Sequence, residues 1–228
     1  MHRAPGPAET GVLQAVLWDM DGLMVDSEPL WTVAESELAR ALGGDWTDEV
    51  KALVVGTRLD VAVPAILHYF GVQPTPSQVA ETSAWLLGRM VELFAADLPL
   101  LPGVGDLLTA LAGQGVPMAL VSSSYRVLVD AVLGHGVGPF DLTLSGDEVH
   151  CGKPDPEPYL TAAARLGVDP RRCVVLEDSP AGVASGEAAG CAVMAVPSVA
   201  GVRLKSRTRR RVVQSLDGVT VEDLRLLL

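Results

Sequence analysis

Apolar residues follow two different rhythms along this chain, and the change between them divides it. Residues 14–18 are apolar at nearly every position, the pattern of a short strand buried on both faces of a parallel sheet. From Asp26 to Ala96 the spacing is helical only. Ser27 is an expected N-cap, with Glu28 and Pro29 in the first turn and Leu30, Ala34, Leu38 and Leu42 along one face, until Gly43-Gly44 stops the helix. Thr75-Pro76-Ser77-Gln78 supplies a second start: a cap, a proline at the first helical position and a glutamine at the third. The helix it opens is expected to carry Val79, Leu86, Met90 and Leu93 on its apolar stripe.

After Pro102-Gly103 helix and strand alternate. Residues 104–111 read as helix and 117–121 as an apolar strand ending at Ser122-Ser123-Ser124. Residues 126–133 read as helix, and 140–144 as a short strand. A helix then starts at Asp155-Pro156 and runs to Leu166, where Gly167 stops it. Residues 173–176 make a strand that ends in Glu177-Asp178, Ser179-Pro180 caps a helix running to Gly190, and residues 193–196 close the series. Such alternation predicts an α/β fold with a doubly wound parallel sheet. The expected organisation is a loose leader at 1–11, a core from 12–25 and 97–228, and a helical domain at 26–96 inserted after the first strand. The basic run containing Arg203, Lys205, Arg207 and Arg209-Arg210-Arg211 reads as a solvated face.

Composition narrows the function. With 228 residues and 49% hydrophobic content, the chain can bury a large core. A formal charge of -11 disfavours nucleic acid and anionic membrane surfaces, and points to a cation or a small ligand. Three cysteines without a C-x-x-C pair suggest neither a disulfide framework nor a zinc knuckle, which fits a reducing, cytoplasmic setting. No apolar stretch is long enough to cross a bilayer.

Polar groups recur at the ends of three expected strands: Asp19 and Asp21 with the turn-forming Gly22, then Ser122, then Glu177 and Asp178. Lys153 stands in the proline-stiffened loop Gly152-Lys153-Pro154-Asp155. In open parallel sheets these carboxyl ends are where ligands bind. If they converge, four carboxylates share a cleft with one ammonium. Two like charges ~5 Å apart repel by roughly 3 kcal/mol at an effective dielectric near 20. One lysine cannot offset that. A divalent cation can, and an all-oxygen donor set suits Mg²⁺ better than zinc. The chemistry that needs this combination is phosphoryl transfer, with a carboxylate as nucleophile and a second carboxyl group moving the proton.

The stretches "DMDGLMVDSEPLW", "LVSSS", "GKPDPEPY" and "LEDSPAG" resemble, in order, the four motifs of the haloacid dehalogenase superfamily. More narrowly, they are similar to the branch containing β-phosphoglucomutases and sugar-phosphate phosphatases. The resemblance spans Asp19 to Gly182 and implies a Rossmann-like core with an inserted helical cap. It assigns Asp19 as the nucleophile that becomes an aspartyl phosphate, Asp21 as general acid/base with its carbonyl on the metal, Ser122 as the phosphate-binding hydroxyl, and Lys153 as the bridge between nucleophile and phosphate. Asp178 is the implied acidic metal ligand, with Glu177 in support. Arg58, in Gly56-Thr57-Arg58, resembles a substrate-binding cap arginine, and Glu28 and Ser123 join it as expected substrate contacts.

The expected reaction is Mg²⁺-dependent hydrolysis of a small phosphorylated metabolite, a sugar or polyol phosphate, by a monomer or dimer. Asp21 argues against the true dehalogenases, which do not keep the second aspartate. A β-phosphoglucomutase-type reaction is the main alternative, and a non-catalytic phosphate- or metal-binding module a remote one. In the mutases a histidine aligns with Trp31, and an indole in its place favours hydrolysis. Glu28-Pro29-Leu30-Trp31 resembles instead the hexitol- and deoxysugar-phosphate phosphatases.

Overall fold

A computed structural model describes residues 12–54, 57–96, 98–198 and 204–228. The expected leader at 1–11, Gly56 and Arg203 lie outside the described residues. The chain divides into two compact units, residues 1–26 with 99–228 and residues 27–98.

The first strand, β1 (Ala15–Trp18), is buried at every position and belongs to the first unit. The second unit holds α1 (Glu28–Ala41), α2 (Asp48–Val54), α3 (Leu59–Tyr69) and α4 (Pro76–Ala96). Helix α4 starts as its sequence predicts: the Gln78 amide donates to the Thr75 hydroxyl, and the Thr75 amide donates to the Gln78 side-chain oxygen at 2.9 Å. Its fully buried stripe is Leu86, Met90 and Phe94, with Leu93 half-buried, because a strict four-residue step rotates Phe94 inward. Ser27 differs from expectation. Its backbone is already helical, so its hydroxyl makes no capping bond, and its carbonyl accepts from Leu30 and Trp31 instead.

The first unit continues with α5 (Val104–Gly113), β2 (Met118–Val121), α6 (Arg126–Leu133), β3 (Leu142–Leu144), α7 (Glu157–Leu166), β4 (Cys173–Glu177), α8 (Pro180–Ala188), β5 (Ala192–Ala195), β6 (Arg210–Val212) and α9 (Val221–Arg225). The strands form one parallel sheet in the order β3-β2-β1-β4-β5-β6, with β1 between β2 and β4. This is the doubly wound Rossmann order. Alternate residues of the strands point to opposite faces. Leu17, Ala119, Val121, Val175 and Val193 pack with Tyr159, Ala162 and Val183 from α7 and α8 into one buried cluster. Val16, Trp18, Leu120, Val174 and Leu176, of the other register, are buried as well. Coverage of both faces explains why the central strands are apolar at every position.

The basic run is more than a solvated face: Lys205, Arg207 and Arg211 are exposed as expected, yet residues 210–212 also form strand β6. It pairs with β5 at the sheet edge. Arg207 and Arg210 both pair with Glu187, and Arg211 pairs with Asp223 at 2.7 Å. Arg209 donates to the Arg171 carbonyl at 2.7 Å. An edge strand needs only one partner, so charged residues are tolerated there and leave no apolar signature. Among the described residues no helix is long and apolar enough to cross a membrane.

Candidate active site

Immediately past β1 the chain makes a tight flap. The Asp19 amide continues the ladder by donating to the Leu176 carbonyl, and Gly22 then turns with φ +78°, its amide donating to the Val25 carbonyl. A side chain at Gly22 would meet a carboxylate oxygen of Asp178 at 2.2 Å, so only glycine fits between the two acidic loops. The returning chain is stitched to the flap by the Leu101 amide on the Met24 carbonyl. These bonds hold Asp19 and Asp21 rigidly at the carboxyl edge of the sheet.

Lys153 reaches this edge from its loop. Its side chain is only 4% exposed, and its ammonium donates to Asp19 Oδ1 at 2.6 Å, to Glu177 Oε1 at 2.7 Å and to the Val121 carbonyl at 2.9 Å. Its three protons are thereby directed. Glu177 is saturated with donors. Oε1 also accepts from the Tyr159 hydroxyl at 3.0 Å, and Oε2 accepts from the amide and hydroxyl of Ser179, each at 3.0 Å. The Ser179 hydroxyl in turn caps α8 by accepting from the Gly182 amide. Tyr159 is fully buried, with Lys153 5.1 Å from its ring centre. On the other side, Asp21 Oδ2 accepts from Ser124 Oγ at 2.8 Å and from Ser122 Oγ at 3.3 Å, while Asp178 accepts from Ser198.

Carboxylates outnumber cations here, and their proton affinities reflect it. Burial pushes the Asp19 carboxyl well above the usual range, with Lys153 opposing and Glu177, Asp178 and Asp21 adding to the rise. Burial likewise raises Asp178 to about 6, against the opposing Ser198 bond. Burial would lower the Lys153 ammonium, but Asp19 and Glu177 outweigh it and hold the group charged. Asp19, Glu177 and Asp178 each offer an oxygen within 4.8 Å of the others. An oxygen-only donor set with surplus negative charge fits a hard divalent cation. Because all four of the Glu177 contacts are already donors, its part in such a site is the smallest of the three.

The structure brings Asp19, Asp21, Ser122, Lys153, Glu177 and Asp178 together in the first unit. Ser123 lies exposed in the same serine loop. Glu28 and Arg58 belong to the helical unit, where Glu28 pairs with Lys51 at 2.7 Å and Arg58 approaches Asp60 at 3.7 Å. Sequence reasoning missed Ser124, Tyr159 and Ser198. Ser124 was visible only as one of three consecutive serines, and Tyr159 as an aromatic position on an amphipathic helix.

The profile of the haloacid dehalogenase-like hydrolases matches residues 13–190. The chain belongs to this family. Among curated relatives of this haloacid dehalogenase-like hydrolase, hexitol phosphatase B of Escherichia coli (strain K12) is 35% identical over 81% of this chain and 83% of the relative. Protein CbbY of Rhodobacter capsulatus is 31% identical over 82% and 86%. Among solved structures, CbbY from Rhodobacter sphaeroides in complex with phosphate superposes with a TM-score of 0.82 at 26% identity, covering 93% of this chain and 99% of that one. The doubly wound sheet of this hydrolase is therefore the fold of that family as well as the product of its own apolar pattern.

Proposed function

We propose that the protein is a Mg²⁺-dependent phosphatase acting on a small phosphomonoester of the sugar or polyol class, through an aspartyl phosphate on Asp19. The observation that carries this reading is the Lys153 ammonium 2.6 Å from Asp19 Oδ1, inside a cluster of buried carboxylates. Lys153 orients the Asp19 carboxylate, one oxygen of which is assigned to attack phosphorus. The P–O ester bond breaks as the new Asp19–phosphorus bond forms. The leaving oxygen takes a proton from the acid form of Asp21. In the second half-reaction Asp21 accepts a proton from water as that water attacks phosphorus, and Asp19 is released. Ser122 is assigned to a phosphoryl oxygen. Asp19, Asp178 and the Asp21 carbonyl, with Glu177 in support, would hold Mg²⁺, which neutralises phosphoryl charge when bound.

The sugar or polyol class is supported by the names of the relatives: hexitol phosphatase, and a CbbY structure in complex with xylulose-(1,5)-bisphosphate. Choice among such substrates is assigned to the helical unit, through Glu28 and Arg58, with Ser123 as a further contact. Hydrolysis is favoured over mutase chemistry because Trp31 stands where the mutases resembled carry histidine. The free cysteines Cys151, Cys173 and Cys191 support a reducing, cytoplasmic setting. A panel of hexose, pentose and polyol phosphates, followed by phosphorus NMR, tests the proposal. Inorganic phosphate should accumulate. Quantitative isomerisation of a hexose 1-phosphate, with inorganic phosphate at background, would establish the mutase instead.

A further inference from the structure

A general acid must be held in the orientation from which it gives up its proton, and here the serine loop holds the carboxyl group. Ser124 Oγ donates to Asp21 Oδ2 at 2.8 Å, shorter than the 3.3 Å from Ser122 Oγ to the same atom. The direction of these bonds is set locally: the Ser124 amide donates to Ser122 Oγ at 2.9 Å, so the Ser122 hydroxyl proton points away from that amide and onto Asp21. Two hydroxyl donors on one oxygen restrict rotation of the Asp21 carboxyl group and so fix its orientation at the sheet edge.

Ser122 cannot keep this role during turnover if its hydroxyl turns to a phosphoryl oxygen, whereas Ser124 can. The backbone around Ser124 is fixed for the purpose. The Ser122 amide donates to the Leu144 carbonyl at 3.0 Å and the Gly146 amide donates to the Ser124 carbonyl at 2.8 Å. A side chain at residue 146 would lie 2.1 Å from the Ser123 carbonyl oxygen, so glycine is required for the chain after β3 to approach the serine loop this closely. The Arg126 amide pins the far end of the loop on Asp147 at 3.0 Å.

We propose that Ser124 is a positioning residue for Asp21, holding its carboxyl group in the orientation from which the proton reaches the departing alkoxide. The assignment rests on the phosphatase reading above and adds to it a residue that contacts neither phosphorus nor metal. It predicts a dependence on the leaving group. A poor alkoxide leaving group needs the proton at the moment of bond cleavage, and an activated phenolate does not.

The test is kcat/KM for a graded series of alkyl and aryl phosphomonoesters, since that ratio reports the steps up to loss of the leaving group. Ser124→Ala should lose on the order of 10-fold with alkyl phosphates, a part of the 10²–10⁴-fold typical of general acids, but only about 2-fold with dinitrophenyl phosphate. The plot of log kcat/KM against leaving-group pKa should steepen. Ser124→Thr keeps the hydroxyl and should restore the wild-type slope, which separates positioning from a folding defect. An equal loss across the series, or a threonine variant with the alanine slope, would overturn the assignment of Ser124 alone. A wild type inert towards every ester would overturn the phosphatase reading and this assignment with it.

Discussion

The Glu177 carboxylate occupies the space where residue 182 would carry a side chain: a Cβ built on Gly182 would lie 1.6 Å from Glu177 Oε1. That same oxygen accepts from Lys153 and Tyr159. The first turn of α8 thus seats the carboxylate that aims the lysine. Gly182→Ala must push Glu177 off its donors or bend α8. Overpacking of this kind costs about 1–3 kcal/mol. Urea unfolding should show the lowered midpoint, and phosphate release should fall with it. An unshifted midpoint with full turnover would mean that the carboxylate has room to move.

Lys153→Met keeps the length of the side chain and removes the charge. Asp19 and Glu177 would then face each other in a buried site without their shared cation. Breaking a buried pair by removing one partner destabilises by about 3–5 kcal/mol. Mg²⁺ should recover part of that stability, because a cation again stands among the carboxylates, but not turnover. Denaturation with and without Mg²⁺, beside a phosphate-release assay, separates the two effects. Equal stability of wild type and variant in the absence of metal would show that the ammonium is not needed to hold the cluster.

The two aspartates of the flap should fail differently. Asp19→Asn removes the assigned nucleophile and should abolish the phosphoenzyme. Asp21→Asn should keep substrate binding while slowing both half-reactions, by ~10²-fold or more as for other general acids and bases. Rapid quench followed by mass spectrometry locates the phosphoryl group. Its appearance on any residue other than Asp19 would overturn the mechanism.

Glu35 of α1 offers a pH test within the helical unit. Burial, and then the neighbouring Glu28 carboxylate, push it from 4.5 to about 7, with Lys51 opposing. Below pH 4.5 folded and unfolded chains both hold the proton, so the stability it contributes is fully present. Above that the unfolded chain releases its proton while the folded one retains it, and the contribution drains away as pH rises through about 7. Thermal midpoints of wild type should therefore decline between pH 5 and pH 8. Glu35→Gln should flatten the decline and exceed wild type at pH 8. Parallel profiles for the two proteins would refute the shift.

Much of this was legible along the chain because the central strands are buried on both faces and end abruptly in polar residues. Gln14 to Asp21, Pro117 to Ser122 and Cys173 to Asp178 all show an apolar run that stops at a carboxylate or hydroxyl. The helical interruption was readable from the Thr75-Gln78 capping box and the four-residue steps that follow. What escaped has physical causes. Strand β6 is an edge strand of sequence Arg-Arg-Val, so alternation of apolar residues is missing. Ser27 has the residue type of a cap but a helical backbone, and type alone does not reveal φ and ψ. Ser124 and Tyr159 act through hydrogen bonds to residues far away in sequence, Asp21 and Glu177, which no local pattern encodes.

The central place of β1 also governs how the protein comes into being. Val16 pairs with Met118 on one side and Val174 on the other, so β1 waits for partners made far later in the chain. Parallel pairings over such separations close slowly, since the intervening chain must give up its freedom before the contacts are gained. The Asp19 amide itself is anchored on Leu176 of β4. A nascent chain halted before β4 therefore contains Asp19 but lacks both the carbonyl that anchors its amide and the Glu177 carboxylate that shares its lysine. The cluster in which Lys153 joins Asp19 to Glu177 is complete only once β4 has been made.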